Sequence, residues 1–257
     1  MKKCKIIHSL ISIGTYEAFT SHIFSLEKEL SSSYVCISNV HMTIEVFNDK
    51  IFENIVNSAN IITPDGMPIA KTMNYLYGIK QARVSGMDLV IDVMKKCEEE
   101  DKSIFVYGLT DETLGLFEKQ ALLIFPKLRV KSYSPPFRTL NNEEKKEIIE
   151  TINDFNPSFV FVALGCPKQE KWMSEHHNKI KSCMIGLGGA LEVYAGVKNR
   201  APKWMQEYSL EWLYRLIQDP KRLWKRYFYT NSLFIVLFLK QYLIVKILSK
   251  KPVSKED

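Results

Sequence analysis

Residues 159–180 read FVFVALGCPKQEKWMSEHHNKI, and the change of rhythm inside this stretch decides the fold class. FVFVAL is continuously apolar and rich in Val and Phe, the pattern of a strand buried on both faces. Gly165 then closes the run, Pro167 suits the first position of a helix, and residues 168–180 continue at helical spacing. The same alternation recurs on either side. Apolar runs at 34–38, 60–63, 103–108, 129–133 and 183–188 are separated by helical patterns near 88–100, 111–125 and 142–155. Strands alternating with helices predict βαβ units and a parallel sheet. The expectation is an α/β fold over residues 1–200: a Rossmann-like, mostly parallel sheet flanked by helices. A basic, aromatic helical appendage is expected over 201–257.

Composition fits this reading. The chain has 257 residues, 46% hydrophobic and 25% charged, with a mean hydropathy of −0.12. These values exclude a disordered chain, a collagen-like repeat and a polytopic membrane protein. Cysteines at 4, 36, 97, 166 and 183 form no CxxC pair and no metal-like spacing, so free thiols in a reducing compartment are expected. The opening MKKCKIIHSLISIGTYE is too short and too interrupted for a signal peptide and reads as a first strand.

Charge is unevenly placed. Residues 1–197 carry 22 basic against 24 acidic side chains, whereas 198–251 carry 12 against 3. Three of the four tryptophans lie in this basic stretch, interleaved with Arg215, Lys221, Arg222, Lys225 and Arg226. Trp, Tyr and Arg together suit the headgroup level of a membrane. Residues 233–239 are wholly apolar, but Lys240 and Lys246 interrupt the remainder of the run, so the tail reads as an interfacial helix and not as a span. A helix docked on the domain with solvated basic residues is the plainer alternative. A nucleic-acid binder would spread its basic surface around a groove, and none is expected here.

Ligands of open α/β sheets bind at the carboxyl ends of the strands. In VYGLTDET, Gly108 ends a strand and Thr110 caps the next helix, with Asp111 and Glu112 in its first turn; this reads as structure, since a phosphate there would meet like charge. In LGCPKQE, Gly165 and Lys168 make a better anion cradle. In IGLGGALE, Gly186, Gly188 and Gly189 let a ligand approach the backbone. None is GxGxxG or a Walker sequence, so neither a dinucleotide cofactor nor P-loop chemistry is expected. IITPDGMPIA places Asp65 in a turn after a strand that Pro64 breaks. Pro-Asp-Gly is an ordinary turn; it is equally a place where a carboxylate can act as general base on a hydroxyl. Arg83 suits a phosphate, and Asp88 suits a helix start. His41 reads as structural. His176 and His177 lack ligand partners, so no metal is expected, and Cys166 has no His placed to make it a nucleophile.

Taken in order over residues 39–231, SNVHM, TPDGMPIA, RVSGMDLV, LGCPKQEKWM, GLGGALEVYAG and NRAPKWMQEYSLEWLYRLIQDPKRLWKRYF resemble the signatures of the WecG/TagA/CpsF glycosyltransferases, glycosyltransferase family 26. The resemblance implies an inverting, metal-independent transferase without cofactor. It would move a hexose or N-acetylhexosamine residue, N-acetylmannosamine or its uronate by preference, from a UDP-sugar to a saccharide on undecaprenyl diphosphate. By the same resemblance, Asp65 is the base and Asn39 orients substrate beside it. Thr63, Gly66, Arg83, Gly86, Gly165, Lys168, Gln169, Gly188, Gly189 and Glu192 line the substrate. Glu192 stands where many relatives have Asp, facing the nucleotide base, and Ile37 stands where a hydroxyl residue is common. The tail's basic residues would hold the anionic cytoplasmic membrane face and close over a diphosphate. Off the membrane, its apolar surface suggests self-association. A glucose-using relative and a non-catalytic membrane-surface module are the rival readings.

Overall fold

The computed structural model describes residues 1–136 and 138–247. The last ten residues of the expected appendage therefore lie outside the described residues. Six strands form a parallel sheet: β3 (Ser33–Ser38), β4 (Ile61–Pro64), β5 (Ser103–Gly108), β6 (Arg129–Tyr133), β7 (Phe159–Ala163) and β8 (Cys183–Gly186), in the order β4-β3-β8-β7-β5-β6. The α/β expectation holds, and each expected strand is present within one or two residues. β5, β7 and β8 are buried along their whole length, which is why they read as unbroken apolar runs, whereas RVKSY of the edge strand β6 stays partly exposed.

The chain divides into two compact units, and the seam passes through β3. One unit comprises residues 20–36 and 86–199. It holds α1 (Tyr16–Glu29) from its second turn, α5 (Gly86–Glu99), α6 (Asp111–Ile124), α7 (Asn142–Phe155), α8 (Lys168–His176) and α9 (Gly189–Tyr194). Local chemistry sets these helix starts. Thr110 caps α6 by accepting from the Thr113 N–H, and Asn141 and Glu144 form a reciprocal capping box on α7. Helix α5 begins at Gly86, so Asp88 sits in its first turn and does not cap it.

Gly108 has a packing role. Its φ is +116°, and a Cβ there would lie 2.5 Å from the Ala163 carbonyl oxygen of the neighbouring strand. Both the conformation and the close approach demand glycine. Gly108→Ala should destabilise the fold by about 2–3 kcal/mol, read as a lower midpoint in thermal or urea unfolding. An unchanged midpoint would mean that β5 shifts freely at this point.

The other unit comprises, among the described residues, 1–19, 37–85 and 200–247. The N-terminal stretch forms an antiparallel hairpin, β1 (Lys3–Ile6) with β2 (Ser9–Ser12), where a single strand was expected. Ile7, at φ +58°, makes the turn without a glycine to announce it. Helices α2 (Val40–Asn48), α3 (Lys50–Asn57) and α4 (Met67–Tyr77) follow, then α10 (Lys203–Glu207), α11 (Glu211–Gln218) and α12 (Pro220–Tyr242). The segment beyond residue 200 thus shares a compact unit with residues 1–19 and 37–85. Helix α12 packs along α2 and against α4, burying Leu223, Thr230 and Phe234. The Ile7 N–H donates to the Gln241 Oε1 at 2.8 Å, and the Gln241 Nε2 donates to the Lys5 carbonyl at 2.8 Å. By length and composition, Pro220–Lys246 is apolar enough to cross a membrane, with 17% of its apolar window buried. Counted from residue 232, the apolar stretch is too short for a span; the continuous helix starts at Pro220, well before it.

Candidate active site

In the unit containing the tail, the end of β4 builds the first cluster. Pro64 is the last strand residue and not its breaker: its carbonyl accepts from the Val84 N–H at 2.9 Å. Asp65 follows, its N–H bonded to the Ser38 carbonyl at 2.9 Å, so the backbone that carries the carboxylate is held at the end of β3. Gly66 then opens α4, with Pro68 in the first turn. A Cβ on Gly66 would come within 3.7 Å of the Asn39 Cβ, which places Asn39 beside the Asp65 turn. Asn39 is also the N-cap of α2, its Oδ1 accepting from the Met42 N–H at 3.1 Å. Thr63 is fully buried and points its hydroxyl toward the Val84 carbonyl, 3.5 Å away, a strand-anchoring position.

Arg83 and the tail complete this cluster. The two terminal nitrogens of Arg83 donate to Glu211 Oε2 at 2.8 Å and to Gln206 Oε1 at 2.7 Å. The second Glu211 oxygen takes Arg215 at 2.6 Å. Burial works against the charge on Glu211, yet Arg215 and Arg83 hold its carboxyl below the usual carboxylate range. The neighbouring carboxylates of Glu211 and Asp65 raise the pKa of the part-exposed Arg215 guanidinium. Two guanidinium groups thus share one carboxylate, and the second of them feels Asp65. Lys221, Arg222 and Lys225 of α12 are exposed, while Arg226 is half-buried. Arg222 pairs with Asp219, Lys225 lies over the Trp224 ring and Arg226 over the Tyr227 ring.

In the other unit, the turns after β7 and β8 form the second cluster. Strand β7 ends at Ala163; Gly165 stands beyond it at φ +76°, exposed, with open space where a Cβ would be. Pro167 caps α8, one position before its expected place, and Lys168 is the first helical residue. The Gln169 Oε1 accepts from the Gly165 N–H at 3.2 Å, and its Nε2 donates to Glu170 at 2.7 Å. Gly188, at φ +50°, caps α9, and a Cβ there would lie 3.0 Å from Gln169 Oε1. The Gln169 side chain therefore links the turns after two strands. Glu192 pairs with Lys198 at 2.6 Å, which supplies a cation next to the carboxylate assigned to the nucleotide. Gly86 is buried at the start of α5. His176 is buried and stacked on Trp172, with burial lowering its pKa, which suits a core histidine.

Glu211, Gln206, Glu170 and Lys198 are absent from the sequence-derived site. A sequence signal exists for two of them, Glu211 and Glu170. Glu211 is one of only three acidic residues in the basic stretch 198–251. Glu170 lies three residues before Met173, on the inward stripe of α8, where a carboxylate is out of place.

Burial pushes the Glu170 carboxyl up to about 7, and hydrogen bonds from Gln169, its own backbone N–H and the Cys166 thiol offset this only in part. An acid raised in the folded state costs stability as pH rises from its unfolded pKa through its folded one. The penalty is absent below the ordinary Glu range and complete above about pH 7, reaching about 3 kcal/mol. Glu170→Gln should therefore melt progressively higher than the parent as pH is raised from about 5 to 8. Parallel melting curves would show that Glu170 titrates normally.

The sequence model of the glycosyl transferase WecG/TagA/CpsF family matches residues 4–247. The chain belongs to this family. Among its relatives is the N-acetylglucosaminyldiphosphoundecaprenol N-acetyl-beta-D-mannosaminyltransferase of Bacillus subtilis (strain 168), 30% identical over 212 residues, or 80% of this chain and 81% of the relative. Enzymes of the same name from Bacillus spizizenii and Staphylococcus aureus (strain MW2) are each 27% identical, covering 81% and 78% of this chain and 80% and 78% of their own lengths. As a member of the WecG/TagA/CpsF family, the chain is a glycosyltransferase.

Proposed function

We propose that this family member transfers N-acetylmannosamine from UDP to an N-acetylglucosamine residue carried on undecaprenyl diphosphate, an early step in making a cell-surface polysaccharide. The relatives' names support the acceptor and the transferred sugar. The observation that carries the chemistry is Asp65, whose backbone is held at the ends of β3 and β4 and whose charge is felt by Arg215 of the arginine–carboxylate cluster. Asp65 takes the proton of the acceptor hydroxyl as that oxygen attacks the anomeric carbon. The anomeric C–O bond to UDP breaks on the opposite side, and the configuration inverts. Arg83 and Arg215 supply the positive charge beside Asp65. The turns at 165–169 and 186–189 hold the UDP moiety, with Glu192 toward the base.

The protein works on the cytoplasmic face of the membrane as a peripheral enzyme. Exposed Lys221, Arg222 and Lys225 flank exposed Trp224, Phe228 and Tyr229. Each basic residue near an anionic surface is worth about 1 kcal/mol. The packing of α12 along α2 and α4 favours lying on the bilayer over crossing it.

Incubation with a panel of UDP-sugars and a short-chain lipid-linked N-acetylglucosamine diphosphate tests the assignment. Acceptor-dependent release of UDP with the N-acetylmannosamine donor, and a product heavier by one N-acetylhexosamine, is expected. Turnover with UDP-glucose instead would move the chain to a different branch of the family. Binding to anionic vesicles without any turnover would favour the non-catalytic module.

A further inference from the structure

Glu170 is fully buried in the described structure; its Oε1 accepts from Gln169, its Oε2 meets no hydrogen-bond donor among the described residues, and no lysine or arginine pairs with it. Such a group is costly to bury, and an apolar or amide side chain of similar size would be the more stable choice. Its contacts indicate what it does. Glu170 Oε1 accepts from Gln169 Nε2 at 2.7 Å, a charge-assisted bond when the carboxyl is ionised. With the amide nitrogen held there, Gln169 Oε1 turns to the opposite side and accepts from the Gly165 N–H.

A carboxylate can only accept, so it fixes which end of the Gln169 amide carries the oxygen. The reverse orientation would set an NH₂ against the Gly165 N–H. The same amide fills the space left by two glycines of the next strand end. A Cβ on Gly186 would come within 3.0 Å of Gln169 Nε2, and one on Gly188 within 3.0 Å of its Oε1. Gln169 is therefore a brace between the turn after β7 and the turn after β8, and Glu170 holds the brace in one orientation.

We propose that Glu170 is a positioning residue for donor binding: its carboxyl locks the Gln169 amide, and the locked amide sets the two glycine turns that receive the UDP moiety. This rests on the transferase reading for the identity of the ligand, but the brace itself does not. Preorganised turns bind without first being ordered, so loosening them weakens the donor while leaving the acceptor hydroxyl and its base in place.

The test uses the full chain with E170Q and the swapped pair Q169E/E170Q. UDP affinity is measured by isothermal titration, donor and acceptor KM by turnover, and the Gly165 amide by hydrogen exchange without ligand. In E170Q, UDP is expected to bind roughly tenfold more weakly, the equivalent of one net hydrogen bond. Donor KM should rise in step, acceptor KM should hold, and Gly165 exchange should accelerate. The melting temperature at about pH 8 should not fall. The swapped pair should restore slow exchange at Gly165, since a carboxylate at position 169 can accept from that N–H while an amide at position 170 donates to the carboxylate. Unchanged UDP affinity and exchange in E170Q would overturn the proposal. So would a loss of folding in E170Q at the same pH, which would make the carboxyl a structural group. If the parent protein binds no UDP, the transferase reading fails, and Gly165 exchange still decides whether Glu170 sets the brace.

Discussion

Replacing Asp65 by Asn is expected to slow transfer about 10²–10⁴-fold, the usual worth of a general base, with little change in melting temperature. The backbone at this position is held by the Asp65 N–H on the Ser38 carbonyl at 2.9 Å, which an isosteric amide leaves intact. What the amide removes is the ability to take a proton and the negative charge felt by Arg215. Glu211 continues to bridge Arg215 and Arg83, so the cluster should survive the substitution. The rate is followed as acceptor-dependent UDP release, and folding by circular dichroism on the same preparation. A folded Asp65→Asn protein that turns over at the parent rate would remove Asp65 as the base.

Removing residues 200–257 should abolish activity and also unfold the unit to which they belong. The charge asymmetry and the change in composition near residue 200 suggest a separable tail that leaves a soluble core when cut away. The packing argues otherwise. Truncation strips Met205, Leu223 and Phe234 from the core, each contributing about 1.5–3 kcal/mol by burial. It also takes Gln241 from the hairpin, and Glu211 and Gln206 from an Arg83 side chain only 13% exposed. Arg83 then faces water, and the hydrogen bonds lost with these partners are worth about 1 kcal/mol each. The total rivals the whole stability of an ordinary domain, about 5–15 kcal/mol. The chain ending at residue 199 should be insoluble, or open to protease across residues 1–19 and 37–85. A soluble product that melts cooperatively and resists protease there would show the tail to be an appendage after all.

The parallel sheet was legible because its strands are buried on both faces and so appear as unbroken apolar runs, with Phe159–Ala163 the clearest. The turns at Asp65, Gly165 and Gly188 were legible for a related reason: glycine and proline mark where a strand stops. The N-terminal hairpin was not, since Ile7 makes its turn and no Asn-Gly or Gly-Gly pair announces it. Among site residues, Asn39 lies beside Gly66, and Thr63 is turned toward the Val84 carbonyl. Glu211 and Glu170 carry no local signature that says which group they meet.

By itself, then, the sequence determined the α/β class, the place of each parallel strand, the strand-end turns that hold the candidate site residues and the family to which the chain belongs. These are properties of short windows, where hydrophobic period and backbone stereochemistry act over a few residues. Only the tertiary structure decided that the basic tail completes a compact unit with the N-terminal hairpin and residues 37–85. It alone placed Glu211 between Arg83 and Arg215, and Glu170 against Gln169. A partner 128 positions away is chosen by which surfaces become buried together, and the energy of a buried charge depends on what surrounds it in space and not on what precedes it in the chain.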